Sequence, residues 1–155
     1  MYNNLSHIAL ILDGNKRWSK KNNYSNIKGY TEGFKNIKRI VDYCLSIKLR
    51  NLTLFTLSSE NFNRSSINII YEIIYENFSK LFDDLVKDNG VKIKIFGSRE
   101  KLPIKIVKIF ESIESLSSNN KNLNLNIAFN YGFKEEVKKI INNIIESNTK
   151  FNIKN

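Results

Sequence analysis

Ile8-Ala-Leu-Ile-Leu12, followed at once by Asp13-Gly-Asn-Lys-Arg-Trp18, is the stretch that decides the fold. Five apolar residues in a row are too few for a helix and read as a strand buried on both faces. Downstream, Phe34, Ile37, Val41 and Cys44/Leu45 recur at steps of three and four, the inner stripe of an amphipathic helix over roughly 30–48. Leu52-Thr-Leu-Phe-Thr-Leu57 is strand-like. Ile67, Ile70, Tyr71, Ile74, Phe78, Leu81 and Leu85 mark a long second helix, stopped by Asn89-Gly90.

The second half repeats the alternation. Val91, Ile93 and Ile95 alternate with Lys92 and Lys94, so this strand is expected to have one wet face and to lie near an edge. Pro103 suits the first turn of a helix striped by Ile106, Ile109/Phe110, Ile113 and Leu116. Leu123, Leu125 and Ile127 form a fourth strand, and Val137, Ile140/Ile141 and Ile144/Ile145 a last helix. Strand and helix alternating four times predict an α/β domain, a mainly parallel sheet with helices on both faces.

The chain's 155 residues suit one domain spanning 1–155, and its 41% apolar and 26% charged residues are an ordinary globular balance. A lone cysteine, Cys44, excludes a disulfide framework and a cysteine-based metal cluster and fits a reducing compartment. The start lacks a secretory pattern and no run of about 18 apolar residues occurs, so a cytoplasmic protein is expected. Net charge is +10, and lysine supplies 20 of the 25 cations. Lys, Asn and Ile are over-used together, which reads as coding bias. The functional alternative is an anionic partner, such as nucleic acid, an anionic membrane surface or a phosphorylated substrate.

Ligands of open α/β sheets bind at the carboxyl ends of the strands. The residues just past each strand are Asp13-Gly-Asn-Lys-Arg-Trp18, Ser58-Ser-Glu-Asn-Phe-Asn-Arg64, Gly97-Ser-Arg99 and Asn130-Tyr-Gly132. In the first, a carboxylate suits a hard cation, Gly14 lets an anion approach the backbone, and Lys16 and Arg17 suit phosphate oxygens. The same Asp-Gly-Asn is also good turn sequence. Ser58, Asn61 and Arg64 add polar groups. Glu60 reads as a cap or loop acceptor, and Ser65 and Ser66 as helix caps. His7 is the only histidine and precedes its strand, which leaves nucleophilic triads without a base. Glycine-rich nucleotide loops and zinc spacings are absent. Asp84 and Asp88 share a helix face without a second acidic helix to pair with, and read as solvated.

His7-Ile-Ala-Leu-Ile-Leu-Asp-Gly-Asn-Lys-Arg-Trp18 resembles the opening signature of the cis-prenyltransferases, the undecaprenyl diphosphate synthase family. Leu57-Ser-Ser-Glu-Asn-Phe-Asn-Arg64 resembles its second block and Leu123-Asn-Leu-Asn-Ile-Ala-Phe-Asn-Tyr-Gly132 its third, a likeness running from His7 to about Ile145. The resemblance implies a Mg²⁺-dependent enzyme that joins isopentenyl diphosphate to an allylic diphosphate with a Z double bond. It implies Asp13 as metal ligand and, with Asn61, as a catalytic residue. Substrate binding would fall to Gly14, Asn15, Lys16, Arg17, Trp18, Lys28, Tyr30, Ser58, Ser59, Glu60, Phe62 and Arg64. Gly14, Asn15 and Arg17 would cradle the allylic diphosphate, Ser58 and Asn61 would sit near the proton removed, and Arg64 would help bind diphosphate. Phe62 stands where an aromatic, usually Trp, shapes the cleft. The helices at 30–48 and 67–85 would wall a tunnel for the growing chain.

Several positions depart from the family pattern. Asn26-Ile-Lys-Gly-Tyr30 stands where an Arg and a Gly-His are usual, so Lys28 is the nearest substitute for a diphosphate ligand. Lys16 replaces a usual Gly, Ser65 a Pro and Phe133 a Gly. The Arg-x-x-Gly-Glu-x-Arg-x-Ser block that binds isopentenyl diphosphate, and the Glu that completes the metal site, do not occur before Asn155. A C-terminally shortened member is therefore expected, acting as a homodimer or paired with a related subunit. Nucleic acid is not an expected partner, and the polyprenyl product would bring the chain to the membrane surface. A non-catalytic interaction subunit is the alternative reading.

Overall fold

The apolar periodicities resolve into nine regular elements in a computed structural model that describes residues 5–62, 67–78, 84–86 and 90–146. They are β1 (His7–Ile11), α1 (Asn15–Lys21), α2 (Asn26–Ser46), β2 (Asn51–Ser58), α3 (Ile67–Ile73), β3 (Val91–Phe96), α4 (Ile104–Leu116), β4 (Leu123–Tyr131) and α5 (Phe133–Glu146). A 3-10 turn, Ser59–Asn61, leaves β2, and a π turn, Ile74–Phe78, continues α3. The long helix expected to run to residue 85 is thus wound as a π turn from Ile74 to Phe78. Residues 84–86 are helical, whereas Leu81 and Asn89 lie outside the described residues.

All four strands are parallel, in the order β1-β2-β4-β3. Parallel neighbours require crossovers, which the helices supply. Leu52 and Leu54 of β2 and Leu123 and Leu125 of β4 are fully buried on one face of the sheet. They meet Ile37, Val41 and Cys44 of α2 and Ile106 and Phe110 of α4 in one core, where Phe110 stands edge-on to Phe129 at 5.3 Å. Burial pushes the Cys44 thiol pKa up.

On the opposite face the sheet carries a polar ladder. His7 Nε2 lies 2.8 Å from Thr53 Oγ1, which also accepts from Asn126 at 3.2 Å, and Asn124 donates to Asn51 at 3.0 Å. Among the described residues Lys94, Phe96 and Asn124 are exposed on this face.

Burial of β1 on both faces is not what the structure has. β1 is an edge strand: Ile8, Leu10 and Leu12 pack on the core, but His7 and Ala9 are exposed and Ile11 is 78% exposed. The apolar run forms a strand, yet a run of this kind does not report which face has a neighbour. Likewise the stripe of α5 buries nothing fully; Val137 and Ile144 are half-buried, and Ile140, Ile141 and Ile145 are exposed. The lysine-alternating β3 is the other edge, as its pattern predicts.

Candidate active site

The polypeptide turns sharply where β1 ends. Leu12 N–H still reaches Phe55 O at 2.9 Å, and Asp13 N–H folds back to Ile11 O at 3.1 Å. Gly14 then adopts φ +99°, a left-handed conformation that a side chain would strain. Its carbonyl accepts from Trp18 N–H at 2.8 Å and so starts α1. One turn along that helix, Arg17 Nη2 donates to Asp13 Oδ2 at 3.0 Å, while Asp13 Oδ1 accepts from Gly14 N–H at 2.5 Å.

α1 is not legible as a helix in the sequence, because six polar residues around a single Trp18 carry no apolar stripe. It is held instead by close approach to α2. A Cβ on Gly29 would run into Ser19 Oγ and the Asn15 carbonyl, and one on Gly33 into the Asn15 side-chain amide. Two glycines one helical turn apart thus let Asn15 and Ser19 lie against the α2 backbone. Ser19 is buried and donates to Asn15 O at 2.9 Å. These contacts fix where Asp13 and Arg17 stand, and neither glycine was singled out in the sequence because the need for it lies in its partner.

Asp13, Gly14, Asn15, Lys16, Arg17, Tyr30 and Asn61 line one cavity of about 490 Å³. Its deeper wall is apolar: Phe34, Ile37 and Ile40 of α2, Ile70 and Ile73 of α3, Ile74 of the π turn, Phe110 of α4, and Ile127 and Phe129 of β4. Thr56 and Leu57 join it where β2 is out of regular register with β4, and Thr56 Oγ1 donates to Ala128 O at 2.9 Å. Such an irregularity re-aims side chains at the end of a strand, and period-two reading could not anticipate Thr56.

Other candidates lie outside that lining. Ser58 Oγ accepts from Asn61 N–H at 3.2 Å and so caps the turn that brings Asn61 to the wall. Ser59 is half-buried, Glu60 is exposed, and Phe62 packs on the core. Trp18 contacts Tyr24, with ring centroids 5.6 Å apart. Arg64 and the serines at 65 and 66 lie outside the described residues. Lys28 is turned along its own helix: it pairs with Glu32 at 3.0 Å, and hydrogen bonds from Lys35 and then Lys28 hold that carboxyl below the usual carboxylate range.

The Gly97–Arg99 cluster is not part of the cavity either. Arg99 is ion-paired with Glu114 and, at 3.8 Å, with Glu111 of α4. Asn130 donates to Ser98 O at 2.8 Å, so the third and fourth strand ends brace each other. A hydrogen bond to Glu136 pushes the Tyr131 phenol pKa up and ties the start of α5 to the end of β4.

The arrangement is one apolar cavity with a charged mouth. Asp13 is the only carboxylate among the described lining residues, and no three His, Cys, Asp or Glu side chains among the described residues are grouped so as to hold a metal ion by themselves. The undecaprenyl diphosphate synthase model of prenyltransferases matches residues 11–155.

The chain belongs to the undecaprenyl diphosphate synthase family.

It is 32% identical over 142 residues to an isoprenyl transferase of Aquifex aeolicus, covering 90% of this chain and 61% of the relative. It is 35% identical over 146 residues to a ditrans,polycis-undecaprenyl-diphosphate synthase, (2E,6E)-farnesyl-diphosphate specific, of Legionella pneumophila, with the same coverage. The crystal structure of lavandulyl diphosphate synthase from Lavandula x intermedia in complex with dimethylallyl diphosphate superposes with TM-score 0.85 at 25% identity, covering 94% of this chain and 64% of that one. The chain thus spans about 61% of the length of these curated relatives.

Proposed function

We propose that the chain binds an allylic diphosphate, its hydrocarbon in the apolar cavity and its diphosphate at the Asp13–Arg17 mouth, for cis-prenyl transfer to isopentenyl diphosphate. The observation that carries this reading is the continuity of one cavity from an aliphatic and aromatic wall to a rim bearing Lys16, Arg17 and Asp13. The Legionella relative is farnesyl-diphosphate specific and the lavandulyl diphosphate synthase structure holds dimethylallyl diphosphate, two ligands that share that chemistry and differ in length.

In such a reaction the allylic C1–O bond breaks, C1 joins C4 of isopentenyl diphosphate, and C2 of the latter loses a proton. The main demand is neutralisation of the departing diphosphate. Lys16 and Arg17 supply positive charge at the rim. Arg17 is held only by an exposed pair, both side chains about 80% accessible. A pair of that kind is worth about 0–1 kcal/mol, so a phosphate readily takes over the guanidinium. Asp13 is then left for Mg²⁺, which favours one or two carboxylates together with substrate phosphates and water, so the residues present fit that ion. When bound, the ion would add Lewis-acid stabilisation of the leaving group. The apolar wall excludes water from the reacting carbon. Asn61, fixed through Ser58, is the polar group that the second cluster brings to the cavity, and we assign it to the proton-losing side.

Calorimetry with a non-hydrolysable farnesyl diphosphate analogue tests the reading, with and without Mg²⁺, on the native chain and on Asp13→Ala and Arg17→Ala. Binding should require Mg²⁺ and Asp13, and Arg17→Ala should cost about 1.5–3 kcal/mol, the range of a charge-assisted hydrogen bond. A folded native chain that binds no analogue in either condition overturns it.

A further inference from the structure

Between α1 and α2 the chain forms a tip in which every residue from Lys20 to Lys28 is exposed. The tip is firmly built. Asn22 Nδ2 donates to Trp18 O at 2.8 Å, Tyr24 N–H reaches Ser19 O at 2.9 Å, and Ser25 Oγ caps Lys28 N–H at 3.2 Å. This framework holds three large apolar side chains out in solvent: Trp18, Tyr24 and Ile27 are 42%, 53% and 52% exposed. The two rings touch, so Trp18 and Tyr24 form a joined aromatic pair, with the exposed Ile27 three residues further along the same tip.

The charge around that tip has one sign. Residues 14–31 include Lys16, Arg17, Lys20, Lys21 and Lys28 and no Asp or Glu. Arg17 is matched by Asp13 and Lys28 by Glu32, but among the described residues no carboxylate pairs with Lys16, Lys20 or Lys21. Coding bias explains many lysines; it does not explain an acid-free run of them in a braced tip that exposes a Trp–Tyr pair and an isoleucine.

Amphipathic rings sit well at the boundary between headgroups and acyl chains, and lysines beside them are drawn to anionic headgroups. We propose that the α1–α2 tip is an interfacial docking site for an anionic lipid surface. A single-stranded nucleic acid fits less well. It favours open ring faces for stacking, whereas Trp18 lies against Tyr24, and the aliphatic Ile27 offers a base little. Lys16 and Arg17 belong both to this basic run and to the cavity rim, so a docked tip brings the cavity mouth to the lipid surface. That last consequence rests on the prenyl-transfer reading; the docking site itself does not.

Trp18 is the only tryptophan in the chain, which makes the native protein its own probe. Co-sedimentation and Trp18 emission are measured with vesicles of phosphatidylglycerol and phosphatidylcholine, and with phosphatidylcholine alone, in the absence of any diphosphate. Binding to the anionic vesicles should shift Trp18 emission to the blue, and lipids brominated on the acyl chain should quench it. The variant Lys20→Gln/Lys21→Gln/Ile27→Ser, checked for folding by circular dichroism, should lose about ten-fold or more in affinity. Lys105→Gln/Lys108→Gln on α4 removes the same charge far from the tip in sequence and should change affinity by less than about two-fold. Equal losses in the two variants, unshifted Trp18 emission in sedimented protein, or stronger tip-dependent binding to a single-stranded oligonucleotide overturns the proposal. Because no diphosphate is present, failure here leaves the prenyl-transfer reading standing, and failure of the analogue to bind leaves this one.

Discussion

Along the outer edge of β3, Asn120 donates to Val91 O at 3.0 Å, Ser117 Oγ accepts from Ile93 N–H at 3.0 Å, and Glu114 Oε1 accepts from Ile95 N–H at 2.8 Å. Along the outer edge of β1 the only comparable contact among the described residues is local, from Asp13 N–H to Ile11 O. Ser6 and Leu12 direct backbone groups at β2, so by the period of two His7, Ala9 and Ile11 direct theirs outward. The side chains differ in the same sense. β3 alternates isoleucine with lysine, a common way of blunting an edge, whereas β1 keeps the unbroken apolar run of an interior strand. One edge is finished by its own helix; the other has the sequence of a strand with two neighbours and the surroundings of a strand with one. Among the described residues, that mismatch marks β1 as the edge without a finish of its own.

The sharpest way to break the contrast is to remove the finish from β3. Glu114→Ala strips the acceptor from Ile95 N–H and the partner from Arg99, and should cost about 3 kcal/mol in urea unfolding; Ser117→Ala, at a fully buried site, should cost about 1–2 kcal/mol. The m-value should not change, and amide exchange at Ile93 and Ile95 should rise. A Glu114→Ala midpoint equal to that of the native chain would show that the caps are ornamental.

A smaller effect should appear at Cys44, whose thiol reports opening of the core behind β2. Reagents reach it only when the core opens, since it is 1% exposed and its pKa is pushed up by burial. Labelling should quicken in Glu114→Ala in proportion to the stability lost. The pH dependence follows from the same burial. The folded state disfavours the thiolate, so this contribution to stability is whole below the ordinary thiol pKa and declines as pH rises above it. A Cys44→Ala control, titrated by urea unfolding, should lack that decline; an identical decline would assign it to other groups.

How far these features were legible depends on whether the cause lies within an element or between elements. The wet face and edge position of β3 are written in Lys92 and Lys94, and the cavity residues Asp13, Arg17 and Asn61 in their place just past strand ends. α1 was invisible because what holds it is the absence of a Cβ at Gly29 and Gly33, on another helix. The strand-end rule also brought in Gly97–Arg99, since it marks an edge of the sheet without saying which way a side chain turns, and Arg99 turns to Glu114. The exposure of Ile11 was illegible for a related reason: an apolar residue states what it needs and not whether the need is met.

That reasoning has its most delicate test at β1 itself. Ile11→Lys replaces a side chain already 78% exposed, so monomer stability should stay within about 0.5 kcal/mol of native, as for ordinary surface positions. Its effect should be on association. A bare apolar edge is a template for strand addition, and an inserted charge blunts it. Sedimentation over a range of concentrations should show weaker self-association for Ile11→Lys than for the native chain, while Lys94→Ile on the capped β3 edge should leave association unchanged. If Lys94→Ile promotes association as strongly as Ile11→Lys suppresses it, the lysines protect β3 and the caps contribute only stability. If association is insensitive to both, a bare apolar edge does not drive association in this protein, and the contrast between the two edges is one of stability alone.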